Sequence, residues 1–524
     1  MAIGLPPVDV YLSSTFVGYT LPAASTEMSL PLGNTVLRVR GVRLLSTAAV
    51  GRALAGRLSL AAAADALADA YEGAGWRNVL VVVVDRPGEQ IGEQMLVVHE
   101  TGLSAVLGVD PLTVYFRPFI GPAPIRRSAF AIAARMAELH AGRTGADATA
   151  LYQRSLEVPE KLTLRVGDDA PASPKLDYQL RLGNEGNRFV GRWFGGVAAT
   201  ATAASSARLG LGYDRVLPEL GDARGKPRYD GYSLFTDRVT RHGLIRLLAS
   251  RAGYRYRGIG ADNTALGMST LEPALKASDL HVGLQGERFI HMSPHWRWSL
   301  GAGAAYDRYR IRQLGTRASA AETHAALQVT SGLKWHAAEC GGRPQAYVDL
   351  QAQQSLVTEF RGTGATDDFR IGGLSSGIST RLFGADRLSL THELQWSQDA
   401  LPQSEQWLLG GFDRLSAWLP GVAVGDRGTL TRLSYQVSLF SRPKHDLRLA
   451  LSAERGTSRF VGRAPALDTA LSSAGLALSY GYTGHWRIET GIGKPLERDA
   501  PAAFAVDRQE ATFHIRALRA FAAE

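Results

Sequence analysis

The sequence has a single cysteine and no long apolar run. Cys340 is the only cysteine among 524 residues, which excludes a disulfide within the chain and a CxxC metal site. No segment reaches the roughly 18 to 20 consecutive apolar residues of a membrane-spanning helix, so a helical membrane protein is not expected. The first basic residue is Arg38, and MAIGLPPVDVYLSSTF contains no apolar run of signal-peptide length, so no export signal is predicted in the chain as it stands.

Charge and size set further limits on the class of protein. The formal net charge is +9 and the pI is about 9.6, but the arginines are scattered among apolar or small residues, as in RLGLGYDR and RYRIRQLG. Because nucleic-acid-binding proteins usually cluster their basic residues on one face, no nucleic-acid partner is predicted. With 45% hydrophobic residues, the chain is long enough to form at least two folded units.

The first third of the chain predicts two small α+β modules. VLRVRGV alternates, STAAVGRALAG and SLAAAADALADAYEGAGW have helical spacing, and RNVLVVVVDRP and EQMLVVHET return to strand character. This pattern defines a first module over 36–108. A weaker copy over 109–170 comprises LTVYFRPF as a strand, IRRSAFAIAARMAELHAG as a helix, a short helix near DATALYQRSL and KLTLRV as a strand. Residues 1–35 are expected to form an N-terminal extension, in which PPVDV and TLPAAS do not support a stable helix.

Beyond the Pro- and Asp-rich break DDAPASPK, alternation replaces helical spacing up to the C-terminus. Segments such as LDYQLRLG, TLTRLSYQVSLF, LRLALSAE and WRIETGIG run for about eight to twelve residues and are followed by turn residues, the pattern of a transmembrane β-barrel. A soluble β-sandwich alternates in the same way locally, but so many consecutive segments without an edge strand to hide favour a barrel. Residues 175–521, at roughly 20 residues per strand with its turn, allow about 16 antiparallel strands.

The sequence contains no assembled catalytic set. GGLSSG formally matches the G-x-S-x-G nucleophile elbow, but the sequence after it continues as strands and a turn instead of a helix, so we interpret it as a barrel loop or turn. The histidines form no HExxH or comparable ligand cluster, and no phosphate-binding glycine loop is complete. The sequence therefore predicts no catalytic residue, no metal site, no cofactor and no enzyme activity.

Several motifs, in this order and at this spacing, resemble a known family. LADAYEGAGWRNVLVVVVDRP followed by GEQMLVVHETGLSAVLGV resembles the first polypeptide-transport-associated (POTRA) domain of two-partner-secretion outer-membrane transporters of the TpsB, haemolysin-secretion type. LDYQLRLGNEGNRFVGRW is similar to their first barrel strand, and LSSAGLALSYGYTGHWRIETGIGKPL is similar to their penultimate strands. ATFHIRALRAF ends in Phe521, the aromatic residue expected of a barrel-assembly signal. The resemblance covers roughly 36–521 and implies POTRA modules followed by an outer-membrane barrel.

In that superfamily a long loop between two barrel strands folds into the lumen, and WLLGGFDRLSAWLPGVAVGDRGTLTRLSYQ falls at its position. The family loop carries a Val-Arg-Gly-aromatic motif whose Arg contacts an acidic residue of a Phe-x-Asp-x-Gly motif. Here Ser416 stands at the Arg position, and LSAERG places Glu454 and Gly456 at the Asp and Gly positions. The residues assigned to the loop near 410–428 are Gly410, Gly411, Arg414, Leu415, Ser416, Ala417, Trp418, Asp426 and Gly428.

The altered motif leaves three ways to hold the loop. Ser416 could donate a single hydrogen bond to Glu454. Arg414, two residues earlier, would point the same way in an extended segment and could replace the missing charge at Glu454. Alternatively, Arg414 faces lumenal water and packing of Trp418 holds the loop.

The resemblance implies a pore that moves one large exoprotein of the TpsA, haemolysin or adhesin type from periplasm to cell surface. The expected partners are that exoprotein, outer-membrane lipid and the barrel-assembly machinery, with the POTRA modules in the periplasm. LTVYFRPF is a candidate edge strand for docking the exoprotein by β-augmentation, although a central strand paired on both sides is equally open; its docking residues would be Val114, Tyr115, Phe116, Arg117 and Phe119. An insertase of the same superfamily, or a passive porin, is the alternative.

Overall fold

The computed structural model describes most of the chain as two N-terminal α/β modules and a closed barrel. The described residues are 3–17, 19–20, 26–32, 35–84, 93–167, 175–186, 191–217, 220, 228–257, 274–337, 344–462, 468–482, 485–499 and 512–523. Cys340 lies outside them. No helix in these ranges is long and apolar enough to cross a membrane.

The first module is a five-stranded sheet with two helices against one face. Its elements are β1 Val8–Leu12, β2 Glu27–Leu32, β3 Thr35–Arg40, α1 Thr47–Leu54, α2 Leu60–Gly73, β4 Trp76–Arg77, β5 Val79–Val84 and β6 Glu93–Glu100, and the strand order is β1-β5-β6-β3-β2. Ser46 and Ser59 cap the two helices by accepting hydrogen bonds from the amides of Ala49 and Ala62, as expected at helix N-termini. Tyr71 of α2 and Leu96 of β6 are fully buried between the layers.

The prediction that 1–35 is an extension outside the first module is wrong, because two of the five strands come from it. β1 pairs in parallel with β5, and β2 pairs antiparallel with β3. The VLVVVV sequence of β5 is buried on both faces, and such a strand lies inside a sheet and requires a partner on each side. β1 supplies the partner that the sequence pattern alone did not reveal.

The second module is a three-stranded sheet, ordered β7-β10-β9, packed on one long helix. Its elements are β7 Ala105–Gly108, α3 Asp110–Thr113, β8 Ile125–Arg126, α4 Arg127–Thr144, β9 Ala150–Arg154 and β10 Leu162–Val166. Because β7 pairs with β10, residues 105–108, which the predicted boundary at 108 included in the first module, belong to the second. The helix predicted near DATALYQRSL is wrong, since this segment forms β9.

The strand predicted over LTVYFRPF is also wrong. Pro111 lies in the first turn of the short helix α3, and Arg117–Phe119 forms a single 3₁₀ turn containing Pro118. Proline favours helix starts and turns and cannot donate to a sheet. Between them Tyr115 and Phe116 are buried, and the Phe116 ring lies 5.1 Å from that of Phe130 in α4. Aromatic spacing here reflects packing against a helix and not a free sheet edge.

The chain then closes into an antiparallel barrel whose first strand pairs with its last. The predicted count of about 16 is confirmed for the described residues, whose barrel strands are β11 Lys175–Gly183, β12 Phe194–Thr202, β13 Arg208–Val216, β14 Arg228–Thr240, β15 Gly243–Arg257, β16 Ala274–Met292, β17 Trp296–Gln313, β18 Ser319–His336, β19 Gln345–Arg361, β20 Arg370–Arg381, β21 Arg387–Trp396, β24 Arg427–Arg442, β25 His445–Arg459, β26 Thr469–Tyr482, β27 Trp486–Asp499 and β28 Thr512–Ala523. β22 Trp407–Leu409 and β23 Ala423–Gly425 pair with each other inside the connection between β21 and β24.

The alternation along the barrel strands separates an apolar outer face from a polar lumen. Leu211, Leu234, Leu247 and Leu284, on four successive strands, are strongly exposed on the outside, and Leu211 pairs with Leu234 as Leu247 pairs with Leu284, as a lipid-facing band requires. GGLSSG, interpreted as a loop or turn, lies within β20. Its small residues fit a strand that packs closely against its neighbours, and it does not form the strand-to-helix turn of a nucleophile elbow.

The second module docks on one end of the barrel through α4. Nδ1 of His140 lies 2.9 Å from the Tyr115 hydroxyl oxygen. Nε2 of His140 donates to the carbonyl oxygen of Ala204, in the turn between β12 and β13, at 2.8 Å. Burial raises the pKa of Tyr115 to about 12 and lowers the pKa of His140. Arg143 pairs at 2.7 Å with the buried Asp237 of β14. Successive barrel strands run in opposite directions. The connection between β21 and β24 therefore lies at the end of the barrel away from the second module.

Candidate functional site

The connection between β21 and β24 returns into the barrel lumen and forms the candidate site. We call residues 397–426 the inward loop and its residues 410–422 the loop tip. The two-stranded sheet β22–β23 carries the tip, with Trp407 opposite Gly425 and Leu409 opposite Ala423. A paired ribbon is stiffer than a free loop, so the tip is presented to the wall as one folded unit.

Two adjacent glycines turn the chain at the start of the tip. Gly410 has φ +97° and Gly411 has φ +105°, a region that side chains other than glycine rarely adopt. The Gly411 amide donates to the carbonyl oxygen of Trp418 at 2.7 Å, and the Trp418 amide donates to that of Leu415 at 3.0 Å. These bonds close the tip on itself and direct Ser416 outward to the wall.

The tip has a small apolar core of its own. Trp418, Leu415 and Ala417 are fully buried. Together they belong to a cluster comprising Trp407, Leu409, Leu415, Ala417, Trp418, Val422, Ala423, Leu430 and Leu471, of which Leu430 and Leu471 belong to the barrel wall. Burying a tryptophan side chain stabilises a structure by several kcal/mol, so packing of Trp418 contributes strongly to the closed position.

Ser416 binds Glu454 of β25, and it does so twice. One Glu454 carboxylate oxygen accepts the Ser416 amide at 2.7 Å and the Ser416 hydroxyl at 2.8 Å. The same carboxylate accepts the hydroxyls of Ser452 and Ser473 at 2.7 and 2.6 Å, while Nε of Arg432 lies 3.4 Å away. The Glu454 side chain is fully buried, and a buried carboxylate needs this number of donors to offset its desolvation.

The prediction that Arg414 replaces the family arginine at Glu454 is wrong. Arg414 instead forms an ion pair with Glu393 of β21, donates to the carbonyl oxygen of Leu408 at 2.6 Å and lies over the Trp407 ring at 4.5 Å from its centroid. The turn at Gly411 puts Arg414 and Ser416 on different sides of the tip, whereas the prediction assumed an extended segment. Trp418 packing, the third alternative, operates together with the Ser416 contact.

The tip also lies with its backbone against the wall. The carbonyl oxygen of Ser416 is 2.8 Å from Nε2 of His514, and that of Ala417 accepts the Thr512 hydroxyl at 2.6 Å. A Cβ atom on Gly493 of β27 would lie 2.2 Å from the carbonyl carbon of Ser416. Backbone contact this close is possible only where the wall residue has no side chain.

Further glycines form a shelf for the loop on the lumenal face. A Cβ on Gly475 would lie 2.5 Å from the Ser416 hydroxyl oxygen, one on Gly456 2.7 Å from Leu409, and one on Gly491 2.6 Å from the Phe412 ring. On β24, Gly428 leaves room for the Trp407 ring, which a Cβ would approach to 1.9 Å. We call Gly456, Gly475, Gly491 and Gly493 the glycine shelf. Close contact with the loop explains why β25 to β27 carry glycine at these four positions.

Charged residues hold the tip beside the seam between β28 and β11. Arg516 of β28 pairs with Asp413 of the tip at 3.0 Å, and it also contacts Glu489 of β27 and Glu185, just after β11. Asp426, at the loop's exit, accepts the Leu401 amide at 2.9 Å and the Val461 amide at 2.8 Å. Asp426 is buried, so it fixes the loop base while Asp413 and Arg516 fix the tip.

The part of the inward loop that precedes β22 is held separately, on the opposite wall of the barrel. Nε2 of His324 of β18 lies 3.0 Å from a Glu405 carboxylate oxygen, and Glu322 accepts the Gln403 amide at 2.8 Å. Asp307 of β17 completes a group with His324 and Glu405 whose ligand atoms lie within 4.8 Å of one another. A histidine and two carboxylates could hold a divalent metal ion, a set that comes from three distant segments and has no motif in the sequence.

The remaining predicted residues fall at three places. Phe521 lies on β28 opposite Tyr178 of β11, at the closing seam. Of the proposed docking residues, Val114 is 40% exposed, Arg117 is exposed, and Phe119 packs against the second-module core. Together with the buried Tyr115 and Phe116, they form no continuous open surface. Gly456, predicted beside Glu454, does lie against the loop, at Leu409. Sequence reasoning missed Ser473, Arg432, Thr512, His514 and the other shelf glycines Gly475, Gly491 and Gly493, because alternation marks them only as lumen-facing.

Comparison with known proteins gives relatives by structure alone. No protein-family model matches the chain, and no curated protein sequence matches it. CdiB from Escherichia coli superposes with a TM-score of 0.75 over 97% of this chain and 93% of that chain at 15% identity. CdiB from Acinetobacter baumannii gives 0.67 over 99% and 95% at 12% identity. The chain thus shares the fold of these two structures, with N-terminal α/β modules followed by a closed 16-strand antiparallel barrel, as its sequence motifs predicted.

Proposed function

We propose that this protein is an outer-membrane pore that exports a partner exoprotein, with the inward loop as its gate. The observation that carries the proposal is the tip's position, folded into the lumen and tied to β25, β27 and β28 by contacts that can be broken one by one. A plug held by a few hydrogen bonds and one aromatic cluster is stable at rest and removable when substrate enters.

The docked modules support recognition on the periplasmic side. We take them to be POTRA domains, since each is a small sheet packed on helices and the second contacts the barrel turns through α4. Among the described strands, β9 is paired with β10 alone, and Leu151 on it is 69% exposed. This open edge replaces 112–119 as the candidate for β-augmentation by the exoprotein's N-terminal secretion domain.

The experiment is conductance of the refolded chain in a planar bilayer, with a candidate partner's secretion domain added on the module side. Export predicts that this domain specifically changes the conductance, and that Leu151→Lys on the open edge weakens the response without altering the resting trace. Leu58→Lys, at another strongly exposed apolar position in the modules, is the matched control.

The insertase alternative gives a different outcome. A barrel indifferent to secretion domains, but able to accelerate folding of unfolded outer-membrane proteins into vesicles, would contradict export. Haemolysin and adhesin types remain the expected classes of exoprotein, and the secretion domain that elicits the response identifies which class is exported.

A further inference from the structure

The outside of the barrel carries an unusual row of positive charge. Arg228 of β14 is the cross-strand partner of Arg255 of β15, which pairs with Lys276 of β16, which pairs with Arg312 of β17. We call these four residues the cationic row. Four adjacent strands at about 4.8 Å spacing make the row about 15 Å long.

The row faces outward, toward lipid. Along each strand it has the same parity as strongly exposed apolar residues, such as Leu234 on β14, Leu247 on β15 and Leu284 on β16. The lumenal parity on these strands is instead occupied by buried acids such as Asp307. All four cations of the row are exposed.

The row lies at the end of the barrel away from the modules. The Tyr115 hydroxyl of the second module donates to the carbonyl oxygen of Val239, near the end of β14, and Arg228 begins the same strand. At about 3.3 Å per residue, roughly 35 Å of strand separates them. With the modules in the periplasm, the row therefore lies at the level of the outer leaflet.

More cations flank the row, and an aromatic belt lies next to it on the side toward the modules. Arg215, Arg251, Arg308 and Arg310 share the outer face within four residues of the row along β13, β15 and β17. Below them Tyr213, Tyr232 and Tyr306 precede the apolar band, and Tyr213 and Tyr232 lie 5.1 Å apart. Tyrosines of this kind mark the boundary between headgroups and hydrocarbon. The cations thus lie at headgroup depth.

The carboxylates that the structure describes do not neutralise the row. In the described part of the chain no carboxylate forms an ion pair with any of its members, and the acid on the same face, Asp230, accepts a hydrogen bond from the Tyr213 hydroxyl at 2.8 Å. Outward arginines elsewhere differ: Arg455 lies 3.6 Å from Glu497, and Arg459 lies 3.4 Å from Asp468. Three successive like-charge pairs directly opposite one another destabilise a sheet, and an anion bound from outside would offset this repulsion.

We propose that the cationic row binds the phosphate groups of lipid A in the outer leaflet of the outer membrane. Guanidinium groups bind phosphate through paired N–H donors, and a lysine adds a point charge. The phosphates sit directly above the acyl chains, at the depth of a row that borders an apolar band. The proposal rests on the placement of the barrel in an outer membrane and not on export, so a failure of the export assay leaves it intact.

The test measures lipid A retained by the refolded chain in detergent micelles, counted by native mass spectrometry. The row variant is Arg255→Gln with Lys276→Gln, and the matched control is Arg455→Gln with Arg459→Gln, which removes the same charge from paired outward positions. Each basic residue near an anionic surface contributes severalfold to binding, so the row variant should bind bisphosphoryl lipid A at least about tenfold more weakly. The control should bind as the unmodified chain does.

Two further arms separate lipid from free anion and from misfolding. Lipid A with its phosphates removed should bind the unmodified chain as weakly as the row variant binds bisphosphoryl lipid A, and millimolar inorganic phosphate should not displace the lipid. If the double variant fails to give a heat-modifiable barrel, Lys276→Gln alone should still weaken binding by about fivefold. Equal binding by a folded row variant, equal binding of dephosphorylated lipid A, or displacement by inorganic phosphate would overturn the proposal.

Discussion

Replacement of Glu454 by alanine tests the gate most directly. The carboxylate accepts two hydrogen bonds from Ser416, one from its amide and one from its hydroxyl, and these are contacts between the tip and the wall. Its bonds from Ser452 and Ser473 lie within the wall. Glu454→Ala therefore removes a tether of the loop while leaving the barrel ladder unchanged.

The magnitude follows from the kind of bond that is lost. A hydrogen bond to a charged group contributes about 1.5 to 3 kcal/mol, so two contribute about 3 to 6 kcal/mol. The bonds from His514 and Thr512 to the tip and the burial of Trp418 remain. The tip should thus stay closed most of the time, but its release should become roughly 100-fold more frequent or more.

Hydrogen exchange of the peptide covering 410–422 reports this release, and single-channel recording reports its effect on the pore. In Glu454→Ala the tip amides should exchange roughly 100-fold faster, with a matching rise in open events. Glu393→Ala is the control, because it removes a lumenal carboxylate that pairs with Arg414 of the tip. Its pair with Arg414 is about one-third exposed, and such pairs contribute only about 0 to 1 kcal/mol.

The reasoning fails if Glu454→Ala and Glu393→Ala exchange at the same rate as the unmodified chain, or if both accelerate equally. The first result would mean that Trp418 packing alone holds the tip. The second would mean that any loss of negative charge from the lumen frees the loop, independent of geometry.

Three other changes test neighbouring features. Gly493→Ala puts a methyl group 2.2 Å from the Ser416 carbonyl, so the tip should leave the wall and resting conductance should rise; a silent pore would contradict the shelf. Asp237→Ala removes the carboxylate that pairs with Arg143 and leaves Arg143 beside other cations. Breaking a buried ion pair in this way destabilises a structure by about 3 to 5 kcal/mol. Trypsin should therefore release the N-terminal modules faster, and an unchanged rate would refute the docking role. Burial lowers the pKa of His140, so the undocked state binds the proton more readily. Docking stability should be complete above the ordinary histidine pKa of about 6.5 and decline as pH falls below it, measured by the same cleavage, and His140→Gln should remove this pH dependence.

The barrel could be predicted from sequence because its signal is local and repeated. Alternation along LDYQLRLG or LRLALSAE needs only the neighbouring residues, and sixteen such segments fix the strand count and the faces of the strands. The position of the inward loop could also be predicted, as could Ser416 next to Glu454, but only because the resemblance to a known family implied both.

The modules were less predictable where pattern and packing conflict. β1 is a short strand after two prolines, and it exists because β5 needs a partner on its open side. Residues 112–119 alternate apolar and aromatic side chains, yet prolines at 111 and 118 and burial against α4 make them a helical turn. In both segments the tertiary partner decided between conformations that the local sequence allowed.

The sequence by itself determined a two-module chain with a sixteen-strand barrel and a loop aimed at its lumen. Only the tertiary structure decided what the loop touches. Gly411 reverses the chain, so Arg414 meets Glu393 and Ser416 meets Glu454, and ring closure brings Gly475, Gly493 and His514 from three strands under one turn. Likewise, the cationic row exists only once four strands align in register. Side-chain alternation fixes which face a residue occupies, but strand register and barrel closure fix its neighbours, because they join residues far apart in sequence.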